Sequence, residues 1–174
     1  MTSGTGATTA TTRSPDATRA LAARLATVVR PGDVVVLAGD LGAGKTTFAQ
    51  GFAAGLGVTE QVTSPTFALV RHYRCSAGGA VRTLLHADVY RLDHLAEVAD
   101  LGLVQLVEDD AVALVEWGDV ALPILGEDVL TVRLTVGPGD DDRQVTVTTA
   151  GQRWADRAAS LAGLLAGSDR QVRP

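Results

Sequence analysis

The sequence predicts a single α/β domain with a mostly parallel central sheet, helices on both faces and an antiparallel hairpin near the C-terminus. Val34 to Ala38 and Ala111 to Val115 are short, unbroken apolar runs, the pattern of strands that are buried on both faces of a parallel sheet. Apolar residues at helical spacing follow the first run, from Thr46 to Leu56. Residues 130–149 alternate apolar and polar side chains on either side of a Gly-Pro-Gly-Asp turn, which predicts the hairpin.

A glycine-rich segment connects the first apolar run to the helix that follows it. Gly39 to Thr46 reads Gly-Asp-Leu-Gly-Ala-Gly-Lys-Thr and matches the phosphate-binding pattern Gly-x-x-x-x-Gly-Lys-Ser/Thr at every fixed position. Glycines let successive backbone N–H groups turn toward an anion, and the N-terminus of the helix adds its positive dipole end. The order of strand, glycine loop and helix therefore narrows the predicted fold to a P-loop NTPase-like domain.

Lys45 is the only lysine in the protein, and all other basic residues are arginine. The chain therefore keeps a compact ammonium at this position, where a planar guanidinium would not serve in its place. We expect Lys45 to reach the β- and γ-phosphates of a nucleotide and the Thr46 hydroxyl to bind Mg²⁺. The predicted nucleotide-contacting residues are Asp40, Leu41, Gly42, Ala43, Gly44, Lys45, Thr46 and Thr47.

Length and composition are those of one domain with short tails. The chain has 174 residues and 46% hydrophobic content, which is enough for a sizeable core. Residues 1–13 are low in complexity, and we expect them to be a disordered tail because they offer little to bury. The predicted P-loop domain covers residues 14–166, and residues 167–174 are expected to form a flexible tail.

The charge balance argues against direct, non-specific binding to nucleic acid. The formal net charge is −5 and the isoelectric point is about 5.1, so there is no basic surplus to displace phosphate counterions. A single cysteine, Cys75, forms no internal disulfide and fits a reducing compartment. With no membrane-length apolar run and no signal-like N-terminus, we expect a cytoplasmic protein.

The remaining elements are predicted from periodicity and turn residues. They are a helix capped by Asp16 and ended by Pro31-Gly32, two strand-like runs at Phe67 to Tyr73 and Val81 to Ala87, a helical region from Asp93 to Leu106 that is interrupted near Gly102, and a final helix from Arg153 to Leu165.

Two carboxylates fall where apolar strands end. Asp88 follows the run that ends at Ala87, and Glu116 follows Val-Ala-Leu-Val. In a parallel sheet both would emerge at the C-terminal edge, where ligands bind in such folds. Either residue is a candidate catalytic group, and Glu116 is the better candidate for a metal ligand. We interpret His86 as a structural, hydrogen-bonded histidine, and a zinc site has little support because His86 has no partner at ligand spacing.

Four motifs in order resemble one family. They are Gly39 to Thr47, Ser64-Pro65-Thr66-Phe67, His86-x-Asp88-x-Tyr90-Arg91-Leu92 and Glu116-Trp117. In this order and at these intervals they resemble the TsaE family of bacterial P-loop ATPases, which are needed for threonylcarbamoyladenosine modification of tRNA. The resemblance spans about Asp16 to Arg143.

The resemblance implies an ATPase that uses ATP and Mg²⁺ and works with two partner proteins, a threonylcarbamoyl transferase subunit and its paralogous companion. It would support their turnover without transferring the carbamoyl group, and it would meet tRNA only indirectly. By the same likeness, Lys45 and Thr46 serve phosphate and Mg²⁺, Glu116 serves the metal and Asp88 lies near the γ-phosphate. Ser64 to Phe67 would act as a switch-like loop.

Two other P-loop functions fit the sequence less well. A small-molecule kinase shares the size and the loop, but it usually has an arginine-bearing lid, and no arginine pair stands in a lid-like insertion here. A GTPase would need an Asn-Lys-x-Asp element, which the sequence lacks. The sequence leaves open which residues contact the base of the nucleotide. The candidates are the segment around Asp16 and the hairpin tip near Arg143.

Overall fold

The computed structural model describes residues 6–65, 69–76, 78–90, 92, 95–107 and 110–167, which form one mixed α/β domain. The strands are β1 (Ala7–Thr12), β2 (Val34–Ala38), β3 (Val70–Arg74), β4 (Thr83–Asp88), β5 (Ala111–Glu116), β6 (Val129–Val136) and β7 (Arg143–Thr149). The helices are α1 (Pro15–Leu25), α2 (Lys45–Gly55), α3 (Leu95–Asp100), α4 (Leu103–Leu106), α5 (Leu122–Leu125), α6 (Gln152–Ala155) and α7 (Ala158–Ala166).

The seven strands in the described residues form one sheet in the order β1-β7-β6-β2-β5-β4-β3. Its four central strands, β6, β2, β5 and β4, run parallel to one another. Strands β7, β1 and β3 pair antiparallel with their neighbours. The predicted parallel centre and the β6–β7 hairpin are thus confirmed, and the sheet as a whole is mixed.

Helices cover both faces of this sheet. Successive side chains of a central strand point to opposite faces, and each face forms a separate apolar core with the helices packed on it. On β2, Val35 and Leu37 point into a core with α1, α2 and α7, which contains Phe48. Val34 and Val36 point into a second core, to which α3, α4 and α5 contribute. An all-apolar strand such as β2 therefore has no solvent face, as its unbroken apolar run predicted.

The N-terminal segment differs from the predicted disordered tail. Residues 1–13 were expected to be disordered, which is wrong for Ala7–Thr12, because these residues form β1 on the outer edge of β7. Little of β1 is buried, but Ala10 and Thr12 are, and the Thr12 hydroxyl lies 2.7 Å from that of Thr18. The edge of β7 supplies backbone partners, and β-branched threonines suit an extended conformation. The ordered domain therefore begins before residue 14.

Two helix predictions change in detail. The N-cap of α1 is Ser14 rather than Asp16, since the Ser14 hydroxyl accepts a hydrogen bond of 3.0 Å from the Ala17 N–H. The predicted final helix is divided into α6 and α7, with Arg157 at the break. There the guanidinium of Arg157 is buried against Asp33, which lies directly before β2. The predicted interruption at Gly102 is confirmed, with φ of 62°.

The described helices are short. The longest, α1 and α2, have 11 residues each. Within the described ranges, no helix has both the length and the apolar character needed to cross a membrane. The predicted cap at Asp93 and residues 168–174 of the expected C-terminal tail lie outside the described residues.

Candidate functional site

The glycine loop lies at the C-terminal edge of the parallel strands, between the end of β2 and the start of α2. Gly39, Gly42 and Gly44 have φ values of 141°, 79° and 101°, a region that disfavours side chains. At Gly39 an added Cβ would also lie 2.4 Å from the Leu134 carbonyl oxygen on β6. These three glycines let the chain curl tightly over the sheet edge and enter α2 at Lys45.

Lys45 is buried beneath this loop, with 5% of its surface exposed. Its Nζ donates hydrogen bonds of 2.7 Å to the Gly39 carbonyl and 2.8 Å to the Asp40 carbonyl. The same ammonium lies 3.7 Å from the centroid of the Trp117 ring, a cation–π contact. The one lysine of the chain is therefore held between its own loop and an aromatic face.

Burial and charge act on Lys45 in opposite directions. Burial lowers the pKa of Lys45 below the ordinary 10.5, because removal from water penalises the charged form. The carboxylates of Glu116, Asp88 and Asp40 raise the pKa against this effect. The lysine thus lies in an acidic environment, and a polyanion that reached it would meet an ammonium stripped of most of its water.

Glu116 joins the loop to two neighbouring strands. It ends β5, and 2% of its surface is exposed. Its Oε2 accepts a hydrogen bond of 3.4 Å from the Thr46 hydroxyl on the first turn of α2. Its Oε1 lies 2.8 Å from the Nε2 of His86, which is fully buried on β4. The structure therefore brings together the two predicted metal ligands, Thr46 and Glu116.

Asp88 ends β4 and pairs in register with Glu116 on β5. Its Oδ2 accepts a hydrogen bond of 2.8 Å from the Ser64 hydroxyl, and its Oδ1 accepts one of 2.9 Å from the Tyr90 N–H. Both oxygens of this carboxylate are thus oriented by the chain around it. The contact with Ser64 ties Asp88 to the start of the predicted switch-like loop, whose residues 66 and 67 lie outside the described ranges.

One cavity of about 490 Å³ unites these groups. It is lined by Leu41, Gly42, Gly44, Lys45, Thr46, Thr47, Ser64, Pro65, Leu69, Asp88, Tyr90, Glu116 and Trp117. Of the predicted nucleotide-contacting residues, Asp40 and Ala43 do not line this cavity. Their backbones shape the loop, since the Asp40 carbonyl accepts hydrogen bonds from the Lys45 ammonium and from the Ala43 N–H. Leu41 and Tyr90 are 84% and 59% exposed and mark its rim.

Arg143 connects the glycine loop to the β6–β7 hairpin. Its region is a predicted candidate for contact with a base, and its guanidinium is hydrogen-bonded to the glycine loop. Nε donates to the Ala43 carbonyl at 2.9 Å and Nη2 to the Gly42 carbonyl at 3.3 Å. Nη1 donates to the carbonyls of Asp140 and Asp142 in the hairpin turn. The side chain fastens the loop to the β6–β7 hairpin, a contact between residues 100 positions apart that no local pattern signals.

The donor atoms at the cavity suit a magnesium ion that also has phosphate and water ligands. A hydroxyl from Thr46 and carboxylates from Glu116 and Asp88 are the hard oxygen donors that Mg²⁺ prefers. Among the described residues, no group of three or more His, Cys, Asp or Glu side chains could hold a metal by itself. Mg²⁺ usually binds with one or two carboxylates plus substrate phosphates, so the residues present fit it.

Fold and site together define a mixed α/β domain with a glycine loop and two strand-end carboxylates around one cavity. The family model described as "Threonylcarbamoyl adenosine biosynthesis protein TsaE" matches residues 12–145. The chain belongs to the TsaE family, and the resemblance drawn from its four motifs is confirmed.

Known relatives match over most of their length. The chain is 43% identical to the "tRNA threonylcarbamoyladenosine biosynthesis protein TsaE" of Bacillus subtilis, over 82% of this chain and 86% of the relative. It is 45% identical to the protein of the same name from Streptomyces coelicolor, over 82% and 97%. The crystal structure of Bacillus subtilis YdiB is similar with a TM-score of 0.74 and 35% identity, covering 97% of this chain and all of that one.

Proposed function

We propose that this protein is an ATP-binding and ATP-hydrolysing subunit required for threonylcarbamoyladenosine modification of tRNA, and that its domain is of the P-loop NTPase-like type. The observation that carries the proposal is the glycine loop at the sheet edge, with Lys45, Thr46 and Glu116 around one cavity. The names of the TsaE relatives supply the pathway.

The loop is proposed to bind the triphosphate of ATP. Its backbone N–H groups and the N-terminus of α2 favour negative charge, and Lys45 adds a full positive charge. The Lys45 ammonium donates hydrogen bonds to the carbonyls of Gly39 and Asp40. These contacts hold the side chain under the loop, where Lys45 lines the cavity that would receive the phosphates.

The two carboxylates have separate roles in this proposal. Thr46 and Glu116 would hold Mg²⁺, which neutralises charge on the β- and γ-phosphates when it is bound. Asp88 is held by Ser64 and by the Tyr90 N–H, and it would lie near the γ-phosphate. The carboxylate that orients the attacking water is one of these two residues, Asp88 or Glu116.

The partners proposed are the threonylcarbamoyl transferase subunit and its paralogous companion. ATP hydrolysis here would support their turnover, and the carbamoyl group would be transferred elsewhere. Because the chain carries a net charge of −5, tRNA is expected to be reached only through these partners.

The test is hydrolysis of ATP with and without the partners. The isolated protein should hydrolyse ATP slowly, and the rate should rise when the two partner proteins and tRNA are added. Lys45→Ala should abolish the rise, with Arg74→Ala as a matched control because Arg74 lies at the far end of the edge strand β3. Hydrolysis by Lys45→Ala at the wild-type rate would contradict the proposal, and so would rapid phosphorylation of a free metabolite.

A further inference from the structure

His86 is completely buried, yet the proposed reaction has given it no role. It lies on β4 with no exposed surface, and its Nε2 is 2.8 Å from Glu116 Oε1. Its other ring nitrogen, Nδ1, is also buried and has no hydrogen-bond partner among the described residues. One ring nitrogen therefore contacts a residue of the cavity, and the other contacts no polar group in the described chain.

This asymmetry indicates which nitrogen carries the proton. Within the described ranges Nδ1 lacks a partner in either tautomer and pays a desolvation cost in both, so the contact made by Nε2 decides where the proton lies. The carboxylate of Glu116 needs a donor, so the ring proton belongs on Nε2. In this tautomer His86 donates to Glu116 Oε1 and leaves Nδ1 unprotonated.

The hydrogen bond from His86 restricts the orientation of the Glu116 carboxylate. With Oε1 held by His86, Oε2 is the oxygen that lies 3.4 Å from the Thr46 hydroxyl. Strands β4 and β5 are paired in parallel register through the whole of β5, so the backbones that carry His86 and Glu116 are fixed relative to each other. A short link between two rigid strands sets the direction of the carboxylate.

We propose that His86 is a positioning residue, which holds Glu116 so that Oε2 is presented toward Thr46 and the metal. The inference rests on the proposed function, since it concerns the Mg²⁺ that accompanies ATP. Groups that orient metal-binding side chains typically contribute about 10–100-fold to metal affinity. A purely structural histidine, packed in the core near Tyr73, would affect stability alone.

Two amide variants separate the roles. His86→Gln can place an amide N–H near the position of Nε2, whereas the amide of His86→Asn is too short to reach Glu116. Both remove the ring and leave space in the core. Metal affinity is read from Mn²⁺ binding to the ADP complex by electron paramagnetic resonance, and ADP affinity is measured separately in metal-free buffer.

The proposal predicts that His86→Asn weakens Mn²⁺ binding by about 10–100-fold, that His86→Gln recovers most of the loss and that metal-free ADP affinity stays the same in both. Equal Mn²⁺ affinity in wild type and His86→Asn would overturn the proposal. Equal losses in the two variants would overturn it as well, because they would point to the lost ring volume.

A measurement on the wild-type protein keeps the inference testable if either variant fails to fold. In ¹⁵N NMR of the imidazole side chains, His86 should show a protonated Nε2 and an unprotonated Nδ1, and Glu116→Ala should change that signal. An unprotonated Nε2 would overturn the proposal, because His86 would then have no proton to donate to Glu116. Failure of the wild type to bind Mn²⁺ and ADP at all would instead contradict the proposed function, and the NMR result would still decide the His86–Glu116 link.

Discussion

The Nζ of Lys45 lies 3.7 Å from the centroid of the Trp117 ring. Trp117 follows Glu116 directly and has a φ of 59°, a left-handed conformation that is uncommon for a bulky residue. The ring is also 4.7 Å from that of Tyr90. This backbone turn directs the indole over the Lys45 ammonium. The residue that follows β5 is thereby brought into contact with the lysine at the end of the glycine loop.

Trp117 should report on occupation of the loop. A phosphate group that draws Lys45 away from the carbonyls of Gly39 and Asp40 changes the charge next to the indole, and we expect the tryptophan fluorescence to change on titration with ATP. Trp117→Phe should abolish this change, because the other tryptophan, Trp154, is buried near Arg157. A full response in the Trp117→Phe variant would contradict the assignment.

Glu116→Gln tests the proposed metal site with little change in shape. The amide keeps the size of the side chain and removes its negative charge, so the half-saturating concentration of Mg²⁺ for ATP hydrolysis should rise by about tenfold or more. Circular dichroism should show an unchanged fold. Glu127→Gln is the control, because Glu127 is exposed and borders a different cavity. An unaltered Mg²⁺ titration would make Glu116 a structural residue.

Arg143→Ala should loosen the glycine loop. The guanidinium donates to two loop carbonyls, Gly42 and Ala43, and hydrogen bonds from charged groups contribute about 1.5–3 kcal/mol each when they are buried. Because Arg143 is only partly buried, we expect a smaller effect, a loss of about tenfold in ATP affinity. Calorimetry measures the ATP affinity of both variants, with Arg74→Ala again as the control. Equal affinities in the two variants would show that the loop keeps its shape unaided.

Breaking the buried pair of Asp33 and Arg157 should strongly destabilise the fold. Both are buried, and Arg157 Nη2 donates to Asp33 Oδ1 at 2.9 Å. Arg157→Met leaves a buried carboxylate without its partner and should lower the free energy of unfolding in urea by about 3–5 kcal/mol. Arg153→Met should cost about 1 kcal/mol or less, because Arg153 is 46% exposed and lies 3.5 Å from Asp33. Similar losses in both variants would contradict this account.

The parts of the fold and site that sequence predicted are those determined by local signals. The glycine loop is one, because its conformation depends on glycines at fixed spacing. The strands β2 and β5 are others, because an unbroken apolar run has no solvent face. Asp88 and Glu116 follow from the same signals, since a residue directly after such a strand lies at the sheet edge.

The parts that sequence missed depend on contacts between distant residues. Ala7–Thr12 has too little apolar surface to predict a strand, and it is ordered by the edge of β7. Arg143 meets Ala43 only after the hairpin folds beside β2, and the acceptor of His86 lies 30 positions away. His86 was correctly predicted to be hydrogen-bonded, but the identity of its partner was not available from periodicity.

Calorimetric titration of the wild-type protein and of Lys45→Ala with ATP in the presence of Mg²⁺ tests the central claim most directly. The account predicts a single binding event for the wild type and, because a charge-assisted contact with phosphate is lost, an affinity lower by at least about tenfold for the variant. A wild-type protein that produces no binding heat, or a variant that binds as tightly as the wild type, would contradict it.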